Sequence, residues 1–254
     1  MTLGLPVSTM LAFMLVLARV AGLVAFLPIP GFKGAPQLIR VVLAMAIAFA
    51  LFPVWPSLSN DLPPFGALAG MAFAELGFGL IVGLAVAFLT EAFQLAAQVI
   101  GVQAGYGFAS TIDPTSQADS GVLPSVMTLI TGLLFFTTGA DRELVRVLAA
   151  SFEKFPAGSW VPSAGSQDGV LHLAAGMCAT GLRLAMPVIA LLILIDLALA
   201  LIGRIQQQLH LLSLAFPVKM LAAVAILAAL APVIARVFEE SVTRTIGTLA
   251  QAMR

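Results

Sequence analysis

Six long apolar stretches determine what this chain can fold into. They cover residues 7–27, 38–52, 68–89, 122–138, 177–202 and 211–235. A helix that spans a bilayer needs about 20 apolar residues, within a range of about 17–25. The first, third, fifth and sixth stretches are long enough, the second is short, and the fourth is marginal. Segments rich in Pro, Gly and Ser separate them. We therefore predict an all-α, membrane-associated fold in which residues 1–254 form a single domain.

The composition excludes several classes of protein. Hydrophobic residues make up 61% of the chain and charged residues 9%, whereas soluble domains are about 45–50% apolar and about 25% charged. Twelve basic residues balance twelve acidic ones, so the chain has neither the basic surplus of a nucleic-acid binder nor the high net charge of a disordered protein. Too few polar residues are present to coat the core of a soluble enzyme. No basic residue precedes Val7–Leu27, so we expect this stretch to be a retained helix and not a signal peptide.

Charged residues interrupt the apolar stretches. They are Arg19, Glu75, Arg183, Asp196 and Lys219. An Arg, Lys or Asp at the centre of a membrane helix costs about 2.5–3.5 kcal/mol. Arg183 and Asp196 are thirteen residues apart, about 20 Å along a straight helix, so they cannot neutralise each other there. The charges therefore need partners elsewhere in the chain, in other subunits or in water. Two interpretations remain: a membrane bundle with internal ion pairs, or a subunit buried in a larger protein assembly.

The third apolar stretch is predicted to continue as a helix well beyond residue 89. Its polar side chains recur at helical spacing, and two glycines continue the same face. These residues are Glu91, Gln94, Gln98, Gly101 and Gly105. The face is either solvated, or it lines a conduit or contacts a neighbouring subunit. Gly79 and Gly83, also four residues apart, predict close packing between helices.

Three polar segments lie between the apolar stretches. Residues 140–154 combine charges of alternating sign at 141, 142, 143 and 146 with apolar residues at 144, 145, 147, 148 and 152, and they predict an amphipathic helix. A short connection that contains Arg204, Gln208 and His210 predicts an antiparallel hairpin of the last two stretches. The third segment, Tyr106–Gly121, is long for a connection in a helix bundle, and such loops are often functional. Its glycines, its turn residues and its apolar side chains could close a passage by excluding water. The candidate plug residues are Tyr106, Gly107, Phe108, Ile112, Asp113, Pro114 and Gly121.

Catalysis and metal binding have no obvious residues to support them. The chain has one cysteine, Cys178, and two histidines, His172 and His210, which rules out an internal disulfide and the usual Cys/His metal cluster. We find no nucleophile–base pair, and we predict neither an enzyme nor a bound cofactor. A secondary transporter with a midplane site is an alternative, but the two similar halves that such a protein usually has are not found.

The motifs resemble a known family. They comprise the segment Leu27–Phe32, the segment Gly101–Ala109 followed by Asp113-Pro114, and Phe216-Pro217. Over about residues 10–235 the chain resembles the FliR family of the flagellar type III export apparatus, whose injectisome homologue is SctT. It departs from the family at Gln207–His210, where a Pro-Gln-x-Asn motif is usual, and at Gly139–Asp141, where Gly-Gly-His is usual.

The resemblance implies an architecture and a function. Members of the family look like a fusion of FliP-like and FliQ-like subunits built from helical hairpins. They join FliP and FliQ copies in a closed helical ring raised out of the bilayer plane, with FlhB as a further partner. The implied role is a pore-forming subunit of the export gate in the bacterial inner membrane, at the flagellar basal body, through which unfolded subunits pass. Its plug loop would come from Tyr106–Gly121. An injectisome export gate is the alternative role.

Overall fold

A computed structural model of the chain describes residues 6–28, 36–58, 63–106, 121–161, 164–205 and 211–252. All regular structure in these ranges is helical, which confirms the all-α prediction. The helices are α1 (Val7–Ala25), α2 (Gln37–Ala50), a short 3₁₀ turn (Phe52–Val54), α3 (Phe65–Ala104), α4 (Val122–Thr137), α5 (Ala140–Lys154), α6 (Ala164–Ile205) and α7 (Leu211–Ala252).

Local sequence explains where several helices begin and end. α1 and α2 start directly after Pro6 and Pro36, because proline is tolerated at a helix start, where its missing N–H has no intrahelical partner to lose. α4 and α5 are separated at Gly139, whose φ of +74° suits glycine, and the pair is bent there by 63°. The amphipathic helix predicted at 140–154 is confirmed with the same bounds. Acidic residues in its first turn and Lys154 in its last turn complement the helix dipole.

Three helices are longer than the apolar stretches that predicted them. α3 has 40 residues, and α6 and α7 have 42 each. At 1.5 Å per residue each is about 60 Å long, twice the roughly 30 Å thickness of a bilayer's hydrocarbon core. The predicted continuation of the third stretch beyond residue 89 is confirmed. Pro187 lies inside α6, and Pro217 and Pro232 lie inside α7, so these prolines do not end the helices.

The chain is divided into two compact units. The first comprises Met1–Phe88, Phe135–Ala174 and Val242–Arg254. Its core contains α1 residues such as Leu15 and Val20 and α5 residues such as Leu148, none of which is accessible to solvent. The second unit comprises Leu89–Leu134 and Ala175–Ser241. The prediction of a single domain concerns the whole chain and stays a prediction.

The second unit has a core formed by α3, α6 and α7. The rings of Phe93 and Phe238 lie 5.4 Å apart between their centroids, and Leu192 is fully buried. α6 approaches α3 closely at Gly181, where a Cβ atom would lie 2.7 Å from the backbone oxygen of Ala92. Small residues at this point therefore set the distance between the two helices.

Much of the apolar surface is uncovered. Within the part of the chain that the structure describes, four helical segments are long and apolar enough to cross a membrane: Val7–Ala25, Phe65–Ala104, Asp168–Ile205 and Ala215–Leu249. The bent pair α4–α5 would add a fifth segment, while α2 is too short. This agrees with the sequence, which predicts four stretches of sufficient length, one short stretch and one marginal stretch. In the most apolar windows of α6 and α7 only 17% of the residues are buried within the chain. Such contiguous apolar surface is typical of helices that lipid or other subunits cover.

Candidate functional site

Arg19 of α1 and Glu75 of α3 form an ion pair in the first unit, and neither side chain is accessible to solvent. The guanidinium contacts both carboxylate oxygens: Nε donates to Oε2, and Nη2 donates to Oε1 at 3.0 Å. This bidentate geometry is the strongest arrangement that an arginine and a carboxylate can adopt. Two of the five mid-segment charges thus find their partners within the chain, although they are 56 residues apart.

The surroundings of this pair satisfy its remaining groups. Nη1 of Arg19 donates to Oγ of Ser151 at 2.8 Å, and Nη2 also donates to the backbone oxygen of Phe155 at 3.1 Å. The Gly158 N–H donates to Oε1 of Glu75 at 2.7 Å. The rings of Phe78 and Phe152 lie 4.7 and 4.1 Å from the guanidinium carbon, and aromatic faces attract a desolvated cation. The network therefore ties α1, α3, α5 and the segment after α5 together.

Glycines bring α1 and α3 into backbone contact beside the ion pair. A Cβ atom at Gly79 would overlap the backbone oxygen of Arg19, and one at Gly83 would lie 2.7 Å from the backbone oxygen of Leu23. The opposite partner is Gly22, where a Cβ would lie 2.5 Å from the backbone oxygen of Leu76. The structure places Gly79 and Gly83 against another helix of the same chain. A role for them in contacts between subunits stays a prediction.

A second charge cluster lies in the second unit. Lys219 of α7 contacts Asp196 of α6 at 2.9 Å, and Nε2 of Gln103 donates to the same carboxylate at 3.1 Å. The Lys219 side chain is 12% exposed and that of Asp196 42% exposed. The two residues lie nine and eight residues from the facing ends of their helices, so this contact fits the predicted antiparallel hairpin of the last two stretches.

Arg183 differs from the other mid-segment charges because its side chain is exposed. It lies in α6 beside exposed Leu182 and Met186. Within the described ranges the structure assigns it no ion pair or hydrogen bond. Arg183 is thus exposed in the chain by itself, and its place among the buried charges of an assembly stays a prediction.

The C-terminal end of α3 packs against α7. Gly105 has a φ of +87°, and a Cβ atom there would lie 2.6 Å from the Phe216 ring. The hydroxyl of Tyr106 donates to the backbone oxygen of Met220 at 3.4 Å. Burial raises the pKa of Tyr106 above its ordinary value, so the phenol keeps its proton and remains a donor. Gly105 directly precedes the predicted plug loop and Tyr106 is its first residue, so these contacts hold the point at which that loop begins.

The remaining predicted residues fall into two groups. On α3, Gln94 and Gly101 are buried, Glu91 is half-buried and Gln98 is exposed, so the predicted polar face is only partly open to solvent. Arg204 is exposed near the end of α6, and Gly121 accepts a hydrogen bond from the Ser125 N–H at the start of α4. The others lie outside the described residues. They are Gly107, Phe108, Ile112, Asp113, Pro114, Gln208 and His210.

Sequence reasoning missed several residues that build these clusters. Ser151, Gly158 and Gln103 supply hydrogen bonds to the buried charges, and Gly22 completes the seam between α1 and α3. Of these residues, only Gly22 could have been predicted from the sequence, because a small residue three positions after Arg19 in an apolar helix indicates a close contact between helices. The partners in loops and on other helices depend on tertiary packing. Among the described residues, no three His, Cys, Asp or Glu side chains are grouped to hold a metal ion.

The fold and its clusters define a class: an all-α protein of membrane type, in which two ion pairs connect helices. The chain matches the family described as "Bacterial export proteins, family 1" over residues 10–245. It is 31% identical to "Flagellar biosynthetic protein FliR" of Escherichia coli over 92% of this chain and 89% of that protein. It is 26% identical to the FliR protein of Bacillus subtilis, over 82% of this chain and 81% of that protein. It is 25% identical to "Surface presentation of antigens protein SpaR" of Salmonella typhimurium, over 80% of this chain and 76% of that protein. The chain belongs to this family of bacterial export proteins.

Proposed function

We propose that this chain is a structural, pore-forming subunit of the flagellar type III export gate in the bacterial inner membrane. The observation that carries the proposal is the likeness to the FliR protein of Escherichia coli, which is 31% identical over 92% of this chain, whereas SpaR is 25% identical over 80%. Flagellar export is therefore favoured over injectisome export. The chain would contribute to flagellum assembly by passing unfolded subunits, and it would need no cofactor.

Partners of the FliP, FliQ and FlhB type follow from this proposal. Two features of the chain support an assembly. α6 and α7 leave most of their apolar surface uncovered, and three helices are each about twice as long as a bilayer's hydrocarbon core. Helices that extend so far beyond lipid need other protein surfaces to bury their apolar residues.

The loop Tyr106–Gly121 is proposed to close the gate at rest. A passage wide enough for an unfolded polypeptide would leak ions, so a seal is required. The loop carries Phe108 and Ile112 for an apolar constriction and has no Lys or Arg to repel basic cargo. The contacts of Gly105 and Tyr106 with α7 support the proposal, because they give the loop a fixed starting point.

Two experiments test the export function. Expression of this chain in an Escherichia coli strain that lacks FliR should restore swimming. Co-expression with the cognate FliP-like and FliQ-like proteins and purification in mild detergent should yield one complex that contains all three. A monodisperse monomer, free of both partners, would refute the assembly. Rescue of an injectisome strain without rescue of swimming would favour the alternative role.

A further inference from the structure

An apolar cavity lies in the first unit, beside the buried ion pair. It has a volume of about 50 Å³ and is enclosed by α3, the segment after α5, the start of α6 and the end of α7. The ring of Phe78 forms one wall, and the rings of Phe155 and Trp160 lie 5.8 and 6.0 Å from it between centroids. Trp160 can lie against α3 because Gly77 has no side chain, since a Cβ atom there would be 3.2 Å from the indole ring. The fold thus builds an aromatic wall for this cavity.

The opposite side of the cavity is open. Gly169 of α6 and Thr248 of α7 line that side and are partly exposed, whereas Phe78 and Trp160 are buried. The Thr248 hydroxyl donates to the backbone oxygen of Arg244 at 3.0 Å, so this hydroxyl is already satisfied by its own helix. A Cβ atom at Gly169 would meet no atom within 4 Å. The start of α6 therefore leaves the space beside it unfilled.

The volume and the lining determine which chemical group the cavity suits. One water molecule needs about 10–15 Å³ of cavity, and a cavity of about 150 Å³ holds benzene. A volume of about 50 Å³ therefore suits an aliphatic group smaller than an aromatic ring, such as the end of a Leu, Ile or Met side chain. Water is a poor occupant, because a buried water needs two to four polar partners and the lining is almost wholly apolar.

Charged residues next to the open side indicate that the occupant belongs to a protein. Asp168 directly precedes Gly169, and Arg244 lies one turn before Thr248, and both charged residues are exposed. Within the described ranges the structure assigns neither of them an ion pair. An apolar centre with a polar rim is the usual arrangement of a protein–protein interface. A hydrocarbon phase at the opening would instead have to desolvate both charges.

We propose that this cavity receives one aliphatic side chain from a helix of a partner subunit. Asp168 and Arg244 have opposite charges, so the complementary surface carries a basic residue on one side of the anchor and an acidic residue on the other. The anchor would contact Phe78 and Phe155, and both of these residues also contact Arg19. Docking therefore adds contacts to the wall that supports the buried ion pair. The inference rests on the proposed function only in requiring that the chain assembles with partners.

Filling the cavity from within the chain tests whether the space is there. Gly169→Leu should place its side chain in the cavity. Gly176→Leu is the matched control, because Gly176 lies in the same helix and also has no atom within 4 Å of its Cβ position, so both substitutions gain the same helix propensity. In the purified chain Gly169→Leu should unfold about 2–4 °C above Gly176→Leu, because only the first fills a void. An equal or lower midpoint would overturn the proposal.

The same variants are then co-expressed with the FliP-like and FliQ-like proteins and purified in mild detergent. Gly169→Leu should lower the recovery of the complex at least about tenfold, because loss of a central anchor weakens binding by that much. Gly169→Ala, which fills little of the space, and Gly176→Leu should assemble as the parent does. Full recovery with Gly169→Leu would refute the anchor site and leave the export function intact. Failure of the parent chain to form any complex would instead refute the assembly, and the anchor site with it.

Chemical labelling tests where the partner docks. Thr248→Cys in a Cys178→Ser background places one thiol in the wall of the cavity. A maleimide should modify this thiol readily in the chain alone and several-fold more slowly in the complex. Equal rates would refute docking at the cavity. Slow labelling of the chain alone that becomes fast in a detergent with a bulkier tail would show that a detergent or lipid chain is the occupant, which also refutes the proposal.

Discussion

Removal of Glu75 should destabilise the first unit more than the loss of any surface ion pair. Glu75→Ala leaves the Arg19 guanidinium buried without its counter-charge and removes three hydrogen bonds. Those bonds come from Nε and Nη2 of Arg19 and from the Gly158 N–H. Removing one partner of a buried ion pair costs about 3–5 kcal/mol. The free energy of unfolding of a typical protein is only about 5–15 kcal/mol, so the variant should lose a large part of its stability.

Two further variants separate the cost of an unpaired charge from the value of the pair. Arg19→Leu combined with Glu75→Leu removes both charges, and replacing a buried pair by apolar residues is often neutral or stabilising, so the double variant should recover most of the loss. Glu143→Ala breaks an ion pair on α5 whose side chains are 74% and 44% exposed. Exposed pairs contribute at most about 1 kcal/mol, so this matched control should unfold almost as the parent does.

The assay is thermal unfolding of the purified chain in mild detergent. It is followed by tryptophan fluorescence, which comes from Trp55 and from Trp160, and Trp160 lies on the segment after α5 and contacts Phe78. Glu75→Ala should lower the midpoint by several degrees more than Glu143→Ala. Equal midpoints for these two single variants would refute the argument, because the buried network would then contribute no more than a surface pair. A double variant less stable than Glu75→Ala would also contradict it.

Three further predictions concern helix packing, the second charge cluster and the plug loop. Gly79→Leu and Gly83→Leu should abolish swimming because a side chain would collide with the backbone of α1, whereas Gly70→Leu, with nothing within 4 Å of its Cβ position, should swim normally; swimming by the first two would show that α1 and α3 can separate. Asp196→Ala should reduce the yield of complex in a pull-down because Lys219 loses its partner, and adding Lys219→Met should restore part of it; an unchanged yield in the single variant would show that the charge is solvated. Deletion of Ile112–Gly121 should leave an assembled gate that depolarises the membrane when overproduced, and a normal membrane potential with intact complex would rule the loop out as the seal.

The sequence predicted the helices better than their contacts. Apolar runs and breakers are local signals, so the starts at Val7 and Val122 and the whole of α5 were predicted correctly. The extension of α6 back to Ala164 was missed, because the polar residues before 177 are rich in Gly and Ser and resemble a loop. In the structure Gly169, Val170 and Leu173 lie beside Phe78 and Trp160 of the first unit, and such contacts leave no local pattern in the sequence.

The mid-segment charges show the limit of such reasoning most clearly. Their cost in an apolar helix could be predicted from the sequence alone, and so could their need for partners. Which partner each would find could not, because Arg19 meets Glu75 across 56 residues and Ser151 across 132. Pairing at such separations depends on how the helices pack, and a single sequence does not encode it in any local pattern.

The order of synthesis delays the formation of the buried network around Arg19 and Glu75. Arg19 leaves the ribosome 56 residues before Glu75, and at about 5–20 residues per second it waits about 3–11 s for its counter-charge. During that interval α1 carries an unneutralised cation, so α1 cannot complete its native packing by itself. Gly158, the last donor to the pair, follows Glu75 by a further 83 residues. Although α1 is the first helix of the first unit to be synthesised, it reaches its native packing only after α5 and the segment that follows α5 have been made.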